Sequence, residues 1–422
     1  MEMSPRPIEQ AARLLCLIGV FLILPAAVAV GGDEPSEKPV VSSSEPSFTL
    51  FSVDGSTLSG HLRQLDTKAG VEIIDAKRST PTLPLLGIVK ITRDAPPSPP
   101  PFEDGLVVFP DGDRLQHARI RRVDDEGLEI QSATFGTLTI PVDHLLGVIL
   151  NSQGDPALSA SLIAKIRETP RKSEVVWLGN GDRADGGSIV IDEKLVKLKT
   201  AGGLSQFERA GVLAIGYDPA LTSYPKPELP FLEVLLLDGS RLGLREAHFE
   251  TGYLSGSARF GANLKIPMGE ISRIDVRSDR IQYLSEQPAL QDRYREFVGP
   301  TRPYRRDLNV MGGPIRLKGQ AFERGLGTQP RTLLAYRVEP GWKFFQATVG
   351  LDDQAGPLSH VVFRVIVDGK ERAVSPAIAA SGSSFSFNVE LSGAKTLVLI
   401  TEFGERGNIH DLADWADARM TR

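Results

Sequence analysis

From Phe48 onward the apolar positions fall in short runs broken by turn residues. Four segments open alike: FTLFSVDGSTLSG, LVVFPDGDRLQHA, VVWLGNGDRADGG and LEVLLLDGSRLGL. In each, an apolar strand runs into Asp54-Gly55, Asp111-Gly112, Asn180-Gly181 or Asp238-Gly239. Such pairs tolerate the positive φ of a two-residue turn, so the pattern predicts four hairpins. Each segment closes on a β-branched run: LPLLGIVKI, LTIPVDHLLGVI, FERAGVLAI and LKIPMGEISRI. The distance from turn to closing run is nearly constant, which marks four degenerate copies of one unit. Within the units, GLEI at 127–130 and TLTI at 137–140 alternate with the period of a strand.

These copies place β repeats at 48–95, 102–155, 171–219 and 230–279. A helical insertion is expected at 156–170, because Asp155-Pro156 is a helix start and Leu158, Leu162, Ile163 and Ile166 share one face. Proline-rich joints, APPSPPP and YPKPELP, separate other copies. Four or five short strands per unit suggest small SH3-like or Sm-like barrels whose neighbours share a core. A four-bladed propeller is the alternative for repeats of this length. A sugar or metal site at every Asp-Gly is disfavoured, because each Asp lacks convergent partners and the pair is itself a turn signal.

After Ile274 the character changes. Residues 283–297 are polar and weakly helical, an adaptor. From Pro314 strands alternate with turns: Val361, Phe363, Val365 and Val367 form one face, Arg364 lies on the other, and Asp368-Gly369 turns the chain back. This spacing predicts an antiparallel sandwich. The chain as a whole is expected to be all-β.

Residues 14–24 form an unbroken apolar run after Arg6 and Arg13, followed by Ala27-Val28-Ala29. That reads as a signal peptide over 1–29, hence a secreted or periplasmic envelope protein. A Gly-, Pro- and Ser-rich linker is expected at 30–47. The single cysteine, Cys16, falls inside the leader. The mature chain would therefore hold no disulfide, thiolate nucleophile or cysteine-based metal site. With 48 basic and 53 acidic residues, the net charge of -5 offers no footprint for nucleic acid.

The C-terminal blocks carry a resemblance. Gly325-Leu326-Gly327-Thr328, Val349-Gly350-Leu351-Asp352-Asp353, Val367-Asp368-Gly369-Lys370, Leu391-Ser392-Gly393-Ala394-Lys395 and the DLADWADAR run from Asp411 to Arg419 occur in the order of the NPCBM module. Residues 280–422 thus resemble the carbohydrate-binding domain attached to family 98-type glycoside hydrolases. The resemblance implies a galactose-binding-like jelly roll, galactose-containing glycans as ligands, and calcium in some members. The chain departs from that pattern in two places. Gln329 and Leu412 stand where the family usually keeps histidines. The implied contacts are Gln329, Asp352, Asp353, Asp411, Asp414 and Trp415, since sugars take planar polar groups and an aromatic face. At Asp352-Asp353 a turn or calcium role competes, although calcium needs more oxygens than the sequence shows. Core burial competes for Trp415, and Trp342 is a further loop aromatic.

Six histidines are scattered without H-x-x-x-H or H-x-H spacing, and neither a G-x-S-x-G elbow nor a Walker loop occurs. No catalytic centre or dedicated cofactor is expected. The expected function is non-catalytic glycan or polysaccharide binding. The alternative is an envelope scaffold that binds other proteins.

Overall fold

The structure is a computed structural model that describes residues 46–75, 78–79, 82–101, 103–124, 126–295, 302–379, 384–405 and 410–422. The expected leader, Cys16 and almost all of the expected linker lie outside the described residues.

Each of the four segments ends the same way. A 3-10 turn at Leu85–Gly87, Val142–His144, Arg209–Gly211 or Met268–Glu270 feeds a closing strand at Ile88–Arg93, Gly147–Ile149, Val212–Gly216 or Ile271–Arg277. Three of the four opening turns correct the two-residue expectation, while Asp111 and Gly112 both take the expected positive φ, 58° and 92°. In the first copy Ser52 N donates to Ser56 O and Gly55 N to Ser52 O, and the same pattern recurs at 178–182 and 236–240. These are three-residue loops in which only the glycine has positive φ, +88°, +92° and +88° for Gly55, Gly181 and Gly239. The preceding side chain decides this geometry. Asp54, Asn180 and Asp238 each accept from the backbone N–H two residues on, at 2.9, 3.0 and 2.7 Å. That local bond holds the Asp or Asn in the ordinary region and leaves the left-handed position to glycine. The pairs are turn elements throughout.

The segments share strands as well as core. Closing strands pair antiparallel across copies, Ile91 opposite Ile274 and Val148 opposite Ile215. Second strands touch in the same combinations, Asp66 opposite His248 and Val123 opposite Ile191. The first segment therefore joins the fourth, and the second joins the third. A 16-stranded sheet and a six-stranded sheet result. One apolar cluster runs from Phe48 to Val276 through all four.

The helix forms over Pro156–Glu168, with Asp155 Oδ1 accepting from Ala157 N at 2.8 Å. Leu162 and Ile166 bury against Val175, Trp177 and Ala214. Asp155→Ala is expected to cost about 1 kcal/mol by removing this cap, measurable as a shifted urea midpoint.

The C-terminal segment is a β-sandwich. One sheet runs in the order Arg305–Arg306, Gly325–Thr328, Ala413–Thr421, Phe344–Leu351, Ser384–Glu390, with Ile281–Tyr283 also pairing to Ala413–Thr421. The other runs Gln291–Tyr294, Thr332–Arg337, Thr396–Phe403, Val361–Val367, Lys370–Val374. Between them, Phe345, Val349, Trp415 and Phe387 meet Val361, Phe363, Val365, Val367 and Leu399. The alternation predicted for 361–367 is thus the core face. Asp368 and Gly369 both take positive φ, 49° and 76°, the two-residue turn expected there. The adaptor expectation is corrected: the described part of 283–297 holds a 3-10 turn at Leu284–Glu286 and a strand at Gln291–Tyr294, with no α-helix. Tyr283 and Leu284 are buried apolar anchors, so this stretch joins the sandwich.

Repeats and sandwich lie within one compact unit, Glu45–Arg422. A buried charge layer welds them. The strand Ala413–Thr421 is buried at every position, which requires two covered faces. Ala413 and Trp415, then Ala418 and Met420, point into the sandwich core. The shift from even to odd spacing marks a bulge at Ala416–Asp417, where Asp417 takes φ +51°. The bulge turns Asp417 and Arg419 toward the repeats. Asp417 pairs with Lys90 and with Arg273, the latter at 3.1 Å. Glu233 pairs with Arg324 of the sandwich at 2.8 Å and with Arg241 at 3.0 Å. Arg114 pairs with Glu323 at 2.7 Å. Backbone joins in: Val53 O accepts from Gln346 Nε2 at 3.0 Å and from Thr421 Oγ1 at 2.6 Å. Burial alone would raise the Asp417 and Glu233 carboxyls. Arg273, Lys90 and Arg419 around the first, and Arg241, Arg324 and Arg277 around the second, hold both far below the ordinary carboxylate range.

Candidate functional site

Three strands of the first sheet end at the same place. Thr328 and Leu351 both lie opposite Ala413. Gln329, Asp352 and Leu412 therefore sit one residue beyond paired strand ends, and Asp353 and Asp411 follow directly. Register alone brings five of the six expected residues together at this end of the sandwich.

The sixth is corrected. Trp415 is 0 % exposed, edge-on to Phe363 at 5.1 Å and stacked on Phe387 at 5.8 Å. Its Nε1 donates to Thr401 Oγ1 at 3.0 Å. With both ring faces covered and its one donor used, it cannot stack on a sugar. Trp342 is elsewhere too. It precedes the opposite end of strand Phe344–Leu351, with the Arg422 guanidinium 5.4 Å above its ring.

The remaining five divide by accessibility. Asp352, Asp411, Asp414 and Gln329 are buried, and Asp353 is exposed. Asp352 ties the loops. Its Oδ1 accepts from Gln354 N at 2.9 Å and Asn309 Nδ2 at 3.3 Å, and its Oδ2 from Arg316 N at 3.2 Å. Asp411 Oδ1 accepts from His360 N at 3.1 Å. Gln329 fixes its own turn, its carbonyl accepting from Thr332 Oγ1 at 2.6 Å. Asp353 Oδ2 accepts from Gly319 N at 2.8 Å, which draws the hairpin Ile315–Leu317/Gln320–Phe322 over this end. Asp414 lies beneath the same loops, opposite Gly327 on one side and Gly350 on the other. A Cβ at Gly327 would meet Leu308 O at 2.3 Å. The glycine of the GLGT block therefore lets residues 308–309 cross directly beside Asp414. Burial, then Asp352, pushes the Asp414 carboxyl well above the ordinary 3.8.

Sequence reasoning missed Asn309, Arg316 and Gln354. Asn309 was legible in part, since Asn309 followed by Gly312-Gly313-Pro314 is a turn signal. Three N–H groups take up the oxygens of Asp352, whereas both oxygens of Asp414 are buried without a donor. Among the described residues no group of three or more His, Cys, Asp or Glu side chains could hold a metal ion. Exposed Asp353, Gln354, Arg316 and His410 rim the cluster with groups suited to hydroxyls.

The C-terminal segment is thus a two-sheet sandwich with polar loops gathered at one end. The family profile described as "NPCBM/NEW2 domain" matches residues 280–421, and that segment is an NPCBM/NEW2 domain. A protein of Renibacterium salmoninarum named for endo-alpha-N-acetylgalactosaminidase activity is 30% identical over 109 residues, 26% of this chain and 7% of its own length. The present chain thus matches only a small part of that protein. Among solved structures, a family 51 carbohydrate-binding module of the Clostridium perfringens family 95 glycoside hydrolase, in complex with methyl-galactose, is 24% identical. The match covers 33% of this chain and 99% of that one, with a TM-score of 0.31. A second such module of C. perfringens ZmpB, in complex with GlcNAc, is 22% identical over 43% of this chain and 42% of that one, with a TM-score of 0.32.

Proposed function

We propose that this chain is an exported, non-catalytic carbohydrate-binding protein whose glycan site is the strand-end rim of the C-terminal domain. The observation that supports the reading is convergence. Three separate blocks of the NPCBM/NEW2 domain deliver Gln329, Asp352-Asp353 and Asp411 to one sheet end, with Arg316 and Gln354 beside them. In this reading the buried carboxylates hold loops and the exposed groups meet hydroxyls. Asp353 is the first contact to test, because it is exposed and belongs to a domain block.

Galactose-type glycans are the first ligands to try, as the resemblance of the motifs implies. The test is a glycan array probed with the full chain, followed by calorimetry on the best hit. Asp353→Ala is expected to weaken binding roughly tenfold, the value of a hydrogen bond to a charged group, and to lower the thermal midpoint only by the loss of the exposed bond from Gly319 N. Absence of binding to every glycan would sink the reading. The charge layer supports a second role for the repeats. They hold the domain in one fixed orientation, as a scaffold at a cell envelope would.

A further inference from the structure

We propose that Asp414 works as a neutral carboxylic acid that donates to Asp352 and so locks the strand-end loops. Both Asp414 oxygens are buried, and among the described residues no N–H or O–H donor reaches either one. Yet its carboxyl lies within hydrogen-bonding range of Asp352. Two ionised carboxylates only accept, so this contact requires a proton between them. Asp352 is the poorer donor, because its oxygens already accept from Gln354 N, Asn309 Nδ2 and Arg316 N, bonds that favour its charged form. The proton therefore belongs to Asp414.

The surroundings keep it there. The charged groups acting on Asp414 are Asp352 and Asp353, both acids. From the overlying hairpin, the Arg316 guanidinium turns away to Gly319 O at 3.2 Å, and Lys318 is exposed. His360 Nδ1 accepts from Glu405 N at 3.0 Å, and Asp411 is occupied with His360 N. The pair ties segment 309–316, residues 352–354 and the start of the last strand into one knot. Asp414 is thus a positioning residue, distinct from the rim groups.

The consequence is a pH dependence of definite sign. An unfolded aspartate loses its proton near 3.8, and the folded Asp414 keeps it to higher pH. Its contribution is complete below about 4 and is lost as pH rises through the folded value, by up to tenfold in the folding constant per pH unit. Asp414→Asn reproduces the donor without the titration. The full chain and this variant are compared by thermal melts from acid to alkaline pH, with and without added Ca²⁺. The wild type is expected to lose stability with rising pH more steeply than the Asn variant, which keeps only the slope of the other buried acids, Glu174 raised to about 7 among them, and becomes the more stable of the two at alkaline pH. Infrared difference spectra, wild type minus variant, should show a protonated-carboxyl band that persists above pH 4, since Glu174 contributes equally to both proteins. Asp352→Asn, which turns an amide toward three donors, should destabilise at every pH. Equal slopes, no protonated-carboxyl band in the difference spectra, or a Ca²⁺-dependent rise of the wild-type midpoint abolished by Asp414→Asn would overturn the proposal. The last would put a cation where the proton is placed. Where a glycan ligand is found, its affinity should fall with pH in the wild type alone. This arm rests on the proposed function, whereas the melts and spectra stand if no glycan binds.

Discussion

Asp417→Ala is expected to lower stability by about 3–5 kcal/mol, a large share of the 5–15 kcal/mol of an ordinary domain. The loss would come mainly from what is left behind. Lys90, Arg273 and Arg419 would face one another at 7, 5 and 6 % exposure with their common anion gone. An uncompensated buried charge costs more than the intact pair contributes, so an alanine here is worse than an apolar replacement of the whole group. Urea unfolding followed by far-ultraviolet circular dichroism measures it. A change below about 1 kcal/mol would mean that water reaches the layer and screens it. Acid should act in the same direction. Asp417 and Glu233 have folded pKa values far below the ordinary ones, so their contribution is present above about 4 and lost as pH falls through the folded values. The weld therefore weakens as pH falls, whereas the proposed Asp414 lock weakens as pH rises.

Trp415→Ala is expected to cost about 3–5 kcal/mol as well, through a cavity among Phe345, Phe363 and Phe387 and the loss of a partner for Thr401. Its effect on any glycan would follow from unfolding. Binding and the near-ultraviolet dichroism of the packed rings should disappear together. Lost binding with intact dichroism would return Trp415 to the ligand. Trp415→Phe keeps most of the volume and should recover most of the stability, which separates packing from the indole hydrogen bond.

Much of this fold was legible because its signals are local. The Asp155 cap, the 361–367 alternation and the Asp368-Gly369 turn need only a few neighbouring residues. So does the order of the domain blocks. The turns at Asp54, Asn180 and Asp238 were placed correctly but given the wrong geometry, because a side-chain bond to the second residue on outweighed the dipeptide preference. Trp415 was misplaced for a different reason. Its strand reads as amphipathic until the bulge at Asp417 is known, and that bulge is set by Gln346 and Thr348 in another strand. The charge layer was invisible for the same reason on a larger scale: Lys90 and Asp417 are 327 residues apart. At the site, register decided what sequence could not. It gathered five named residues and then divided them, burying four and exposing Asp353.

The nested pairing of the four segments has a bearing on biosynthesis. The second and third segments are partners and lie next to each other along the chain, so that pair can close soon after its residues appear. The first segment waits for the fourth. Until Ile271–Arg277 is made, strand Ile88–Arg93 shows a row of unanswered amides and carbonyls flanked by Val89 and Ile91. Long-range pairings form late, and bare strand edges are where chains stick to one another. The nascent protein should thus depend on a holding chaperone over this interval, and destabilising the fourth segment should harm solubility by orphaning the first.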